Sequence, residues 1–193
     1  MAIRAPRVRK IDKAKIAKAS RRRGLLIVHT GDGKGKTTAA LGLALRAVGT
    51  GMKVMMIQFM KGTWRYGELE AAKRLAPDFA LLQMGEGFTW ETKDRKKDIA
   101  LSKKAWEFCK ETIQSKKYDL VVLDEINYVL GYGFLETKAV IDFLKQKPEE
   151  IHLVLTGRNA PEELIDAADL VTEMKEVKHP FQKGIIAQRG IEF

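Results

Sequence analysis

Lys36 and Thr37 close the stretch Thr30-Gly31-Asp32-Gly33-Lys34-Gly35-Lys36-Thr37-Thr38. An ammonium followed by a hydroxyl, behind closely spaced glycines, is suited to polyphosphate. Glycines let backbone N–H groups surround an anion, the lysine supplies a point charge, and the hydroxyl can ligate Mg²⁺. The apolar run Leu25-Leu26-Ile27-Val28 precedes the stretch and predicts a buried parallel strand. Ala39-Ala40-Leu41-Gly42-Leu43-Ala44-Leu45-Arg46 follows it and predicts a helix, whose N-terminal dipole would favour negative charge. Strand, Gly-rich loop and helix form the context of a phosphate-binding P-loop. The pattern departs from G-x-x-x-x-G-K-[ST] in one respect: its first glycine is Gly31, and Thr30 stands where that glycine is expected. The spacing G-x-G-x-G, rather than G-x-G-x-x-G, argues against a dinucleotide site.

Acidic and basic groups recur at the ends of other predicted strands. Asp124 and Glu125 close Leu120-Val121-Val122-Leu123, where a P-loop enzyme carries its acidic metal-binding residue, so one of these carboxylates is expected to bind Mg²⁺. Arg158 follows Leu155-Thr156-Gly157 and could grip a phosphate. Lys61 follows Val54-Met55-Met56-Ile57-Gln58-Phe59. Phe88 and Trp90 lie in the Gly-containing stretch after Met84, where aromatic rings pack on a flat ligand or a partner chain.

These groups need a scaffold that gathers strand ends. Predicted strands at 25–28, 54–59, 79–84, 120–123 and 151–155 alternate with predicted helices at 68–75, 96–116, 137–145 and 161–168, and two strand-like segments at 170–177 and 185–188 finish the chain. The alternation predicts a doubly wound, mainly parallel P-loop α/β sheet of the RecA-like kind, with helices on both faces and ligands at the carboxyl ends of the strands.

Composition narrows the class. A chain of 193 residues is expected to hold one main domain with a sizeable core. No apolar run reaches membrane-spanning length, and the N-terminus lacks an apolar signal core. The single cysteine, Cys109, excludes an internal disulfide framework, fits a reducing cytoplasm, and falls in a helical pattern that predicts a buried thiol. The net charge of +10 is concentrated in residues 1–24, which carry ten Lys/Arg and one acid. The chain thus divides into a basic segment, 1–23, and a near-neutral body, 24–193. The segment points to an anionic partner, while the body argues against an extended nucleic-acid groove.

The motifs occur in a specific order: Gly31 to Ala40, Gln58-Phe59-Met60-Lys61-Gly62, Gly87-Phe88-Thr89-Trp90, Leu123-Asp124-Glu125, Thr156-Gly157-Arg158 and Val177-Lys178-His179-Pro180-Phe181. Together they closely resemble the ATP:corrinoid adenosyltransferases of the CobA/BtuR/CobO type, over about residues 24–193. The resemblance includes the early glycine of the loop. Asp32 departs from it, since family members often carry Asn there.

This resemblance implies transfer of the 5′-deoxyadenosyl group of ATP to Co(I) of a corrinoid, with triphosphate leaving. ATP would lie reversed in the P-loop, its γ-phosphate where other P-loop enzymes hold α. It implies ATP contacts from Gly31, Asp32, Gly33, Lys34, Gly35, Lys36, Thr37, Thr38, Arg46, Lys61 and Arg158. Thr37 and Glu125 would bind Mg²⁺; Lys36, Thr37 and Glu125 would carry catalysis; Met84, Phe88 and Trp90 would contact the corrinoid. An external reductase such as a flavoprotein, a homodimer, and a basic N-terminal segment acting as a corrinoid lid are also implied. Two other readings stay open at this level: a P-loop kinase or hydrolase in which Glu125 polarises water, and a RecA-like nucleic-acid-binding ATPase that uses the basic segment.

Overall fold

Along β1 (Leu26–Thr30), Leu26 and Val28 face one apolar cluster while Ile27 faces another, and all three are buried. The same division runs through β2 (Val54–Gln58) and β4 (Leu120–Asp124), whose side chains are all buried. A strand whose alternate residues are buried on opposite faces must lie inside a sheet covered on both sides, which is why these segments read as continuous apolar runs. The computed structural model describes residues 22–61, 66–85 and 94–192.

With β3 (Phe79–Gln83), β5 (His152–Thr156) and β6 (Leu170–Glu173), the sheet has six strands in the order β3-β2-β4-β5-β1-β6. Every pairing is parallel. The fold is thus the expected P-loop α/β fold, doubly wound and RecA-like, with β5 placed between the strand of the Gly-rich loop and the strand of Asp124.

One face is covered by α1 (Lys36–Val48) and α2 (Gly67–Arg74). Ala40, Ala44 and Ala47 recur at helical spacing on α1 and are buried, so this helix lies close to the strands. The other face carries α3 (Arg95–Gln114), α4 (Ile126–Gly131), α5 (Thr137–Lys145) and α6 (Glu162–Ala167). Asp94 caps α3 by accepting hydrogen bonds from the Lys96 and Lys97 amides, 3.1 Å each, a contact worth about 1 kcal/mol. Trp106 on α3 meets Phe143 on α5 edge to face at 5.4 Å. Cys109 is fully buried in this layer, and burial pushes its thiol well above the ordinary range.

Two local expectations, the strands over 170–177 and 185–188, are corrected. Helix α4 is an addition to the expected elements: it has only six residues, too few to display a helical period. The strand expected over 170–177 stops at Glu173, and 185–188 forms no strand. Ile185 and Ile186 are instead exposed (45% and 78%). Arg23, placed by its charge in the N-terminal segment, is tied to the body. Its guanidinium binds both carboxylate oxygens of Asp169, whose Oδ2 also accepts from the Leu26 amide.

Candidate active site

Each strand of the central group ends on a polar residue at the same level of the sheet. Gln58 stands opposite Asp124 in the register between β2 and β4, and opposite Gln83 between β2 and β3. Thr156 closes β5 beside them, and Thr30 closes β1. The parallel arrangement therefore gathers these side chains on one rim, where the Gly-rich loop also emerges.

The early glycine has a structural cause. Thr30 is still strand, buried, with its hydroxyl accepting a hydrogen bond from the Ala160 amide at 3.1 Å. The chain turns only at Gly31, where φ is +93°, and a Cβ there would lie 2.5 Å from the Met174 carbonyl oxygen. Lys36, the first residue of α1, folds back over the loop and donates to the carbonyls of Gly31 and Gly33, 2.6 Å each. Burial and the neighbouring Arg158 lower its pKa, against Asp32 and Glu125, which raise it. Asp32 is exposed and acts on Lys36; Lys34 is ion-paired with Glu192 of the C-terminal segment. Ile191, next to that pair, is 80% exposed.

Asp124 is fully buried. Its Oδ1 accepts from the Thr37 hydroxyl (2.9 Å) and the Thr156 hydroxyl (2.7 Å), and its Oδ2 from the Gln58 amide (3.1 Å). Lys61 Nζ lies 3.7 Å from Oδ2 and 2.7 Å from Glu68. Burial lowers the Lys61 pKa, but Asp124 and Glu68 outweigh it and the net shift is upward. Glu68 shifts down, because its bond to Lys61 outweighs its own burial. The structure thus brings Lys61 to the expected site, held by carboxylates.

Glu125 differs from Asp124 in every respect. Its backbone is left-handed, with φ at +66°, held by a hydrogen bond from its amide to the Thr156 hydroxyl at 2.9 Å. Among the described residues its buried Oε2 has no hydrogen-bond partner. Burial and the Asp124 charge raise its pKa to about 7, against Lys61 and Lys36. An unpartnered carboxylate oxygen near the loop, with the Thr37 hydroxyl on the same carboxylate cluster, suits a hard cation that keeps most of its shell from water and phosphate. Among the described residues no three His, Cys, Asp or Glu gather into a cluster.

The Glu125 shift has a checkable consequence. A carboxyl group protonated more readily in the folded state gives stability that is full below about pH 4.5 and is lost as pH rises to about 7. Without nucleotide or metal, chemical denaturation should show stability falling across that window, and Glu125→Gln should flatten the fall.

Other expected residues are placed less uniformly. Arg158 is exposed just beyond β5, within electrostatic reach of Lys36 and Tyr128, and its loop is tied to α4 by Asn127 donating to the Gly157 carbonyl at 2.9 Å. Thr38 is exposed in the first turn of α1. Arg46 is exposed in the last turn of α1, roughly 15 Å from Lys36 along an axis rising about 1.5 Å per residue; the structure does not bring it into the cradle. Met84 is half-buried after β3 and packs on the larger apolar cluster. Phe88 and Trp90 lie outside the described residues. Gln58, Gln83, Glu68 and Thr156 were not anticipated as site residues. The signal for three of them was a polar residue closing an apolar run.

The comparisons agree with this geometry. Residues 22–193 match the family model described as ATP:corrinoid adenosyltransferase BtuR/CobO/CobP. A corrinoid adenosyltransferase from Sinorhizobium sp is 50% identical over 173 residues, covering 89% of this chain and 81% of the relative. One from Pseudomonas aeruginosa is 45% identical over 190 residues, covering 98% and 94%. The flagellar accessory protein FlaH from Methanocaldococcus jannaschii superposes with a TM-score of 0.57 at 14% identity, over 78% of this chain and 71% of FlaH, a likeness of fold alone. The chain is therefore a transferase belonging to the ATP:corrinoid adenosyltransferase family.

Proposed function

We propose that this enzyme transfers the 5′-deoxyadenosyl group of ATP to Co(I) of a corrinoid substrate. The cobalt electron pair forms a bond to C5′, the C5′–O bond breaks, and its electrons leave on triphosphate. Cobalt is thereby formally oxidised from Co(I) to Co(III). No proton leaves the attacking atom, so the chemistry needs no general base. The observation that carries the reading is the cradle itself. A lysine folded over a Gly-rich loop, a hydroxyl, and a buried Glu125 oxygen without a partner among the described residues supply charge and positioning for the transfer.

Within this reading Lys36 and Lys34 neutralise the triphosphate, and Lys34 exchanges Glu192 for phosphate on binding. Asp32, at the rim, adds negative charge that Lys36 offsets. Arg158 contacts the polyphosphate, and the amides of Gly31 and Gly35 line the loop, while that of Gly33 donates to the Met174 carbonyl at 2.6 Å. Thr37 and Glu125 hold Mg²⁺, which when bound offsets charge on the phosphates. Lys61 is a structural counter-ion to Asp124 and Glu68 more than a phosphate ligand, since its ammonium is already held by both. Met84, Phe88 and Trp90 serve the corrinoid. An external reductase delivers Co(I), the enzyme works in the cytoplasm as a homodimer, and the basic segment of residues 1–23 closes over the corrinoid.

Product analysis with ATP, Mg²⁺ and a chemically reduced corrinoid tests the proposal. Stoichiometric adenosylcorrinoid and triphosphate are expected. ADP or orthophosphate in their place would overturn the reading in favour of a kinase or hydrolase.

A further inference from the structure

Two glutamines form a polar chain across three neighbouring strand ends. Gln83, the last residue of β3, donates its amide to Gln58 Oε1 at 3.2 Å. That bond fixes which way the Gln58 amide faces, and its Nε2 is turned to Asp124 Oδ2 at 3.1 Å, with Glu68 Oε1 at 3.4 Å. Gln58 is 0% exposed, and a buried amide at that price is held there by its partners.

The chemistry of the position is selective. The residue must accept from one neighbour and donate to an anion on the other side. A carboxylate would be repelled by Asp124 and Glu68, and an aliphatic side chain would supply no donor.

The donor matters because Asp124 is contested. Its Oδ1 holds the hydroxyls of Thr37 and Thr156, while Oδ2 lies between the Gln58 amide and the Lys61 ammonium 3.7 Å away. Gln58 pins Oδ2 and so keeps the carboxylate plane aimed at Thr37. Without it, Oδ2 is free to turn to Lys61 and carry Oδ1 away from the Thr37 hydroxyl. A Thr37 hydroxyl whose proton is committed to Asp124 keeps its oxygen lone pairs for a cation.

We propose that Gln58 is a positioning residue for cation binding at the P-loop, oriented by Gln83 and acting through Asp124 on Thr37. The relay also ties the end of β3, two residues before Gly85, to the nucleotide side of the sheet. Gly85 itself is fixed there, since a Cβ would meet the Phe59 carbonyl oxygen at 2.1 Å.

The inference rests on the reading of Thr37 as a cation ligand, so the test separates the two. ATP binding to the full chain is measured by calorimetry, metal-free and across a Mg²⁺ titration, for the parent, Gln58→Leu, Gln83→Leu, the double variant and Thr37→Val. Outer partners of metal ligands typically alter metal affinity about 10–100-fold. Gln58→Leu should need about tenfold more Mg²⁺ to reach half its effect on ATP binding, with metal-free affinity within about twofold of the parent. Gln83→Leu should shift the same way by less, and the double variant should be no worse than Gln58→Leu, because Gln83 acts through Gln58. An unchanged Mg²⁺ requirement in Gln58→Leu beside a shifted Thr37→Val overturns the relay and leaves the cation site standing. No shift in either overturns both. If metal-free binding shows that Gln58→Leu is not folded, Gln83→Leu is decisive alone: a shifted requirement supports the relay, and a parental one overturns it.

Discussion

Lys36→Ala is expected to lower adenosyl transfer by about 10²–10³-fold, the effect of deleting one preorganised electrostatic contact to a developing anion. The ammonium donates to the carbonyls of Gly31 and Gly33. Those bonds are partly buried, on a loop whose Asp32 and Lys34 are exposed, so the variant should fold with only a modest loss of melting temperature. Burial and Arg158 lower the Lys36 pKa without removing its positive neighbours' opponents, Asp32 and Glu125. Single-turnover measurement with pre-reduced corrinoid isolates the chemical step from reduction. Turnover near the parental rate would remove this loop from the reaction.

The largest stability effect is expected at Asp124. Asp124→Ala strips the acceptor from Thr37, Thr156 and Gln58 together, and leaves Lys61 buried with Glu68 as its remaining close carboxylate. Removing one partner from a buried charged cluster costs about 3–5 kcal/mol. Denaturant titration should show that loss, whereas Glu125→Ala, which removes a side chain with an unpartnered buried oxygen, should not. Equal losses in the two variants would mean that the two carboxylates share one structural role.

The sheet was legible because a two-faced parallel strand must be apolar throughout, and the runs ending at Val28, Ile57 and Leu123 are. Their carboxyl ends were less legible. Backbone pairing carries each strand on through a polar residue, to Thr30, Gln58 and Asp124, and what those side chains do depends on which strands are neighbours. Strand order is a tertiary property: β4 lies beside β2 only once the whole sheet is assembled, so no local pattern announces that Gln58 faces Asp124. Glu125 could be singled out from its position after β4, but its distinction from Asp124 comes from a left-handed backbone and a buried oxygen with no hydrogen-bond partner among the described residues. Arg46 shows the reverse case, a motif position whose neighbourhood in the folded chain is the far end of a helix.

The pairing of Lys34 with Glu192 makes the C-terminal segment a place for an optical reporter. Cys109 is the only cysteine in the chain and is fully buried, so Ile191→Cys would introduce a single readily labelled thiol. On the proposed reading a fluorophore there would stand one residue from the carboxylate that Lys34 exchanges for phosphate, and its emission is expected to follow nucleotide arrival and release in real time without a labelled nucleotide.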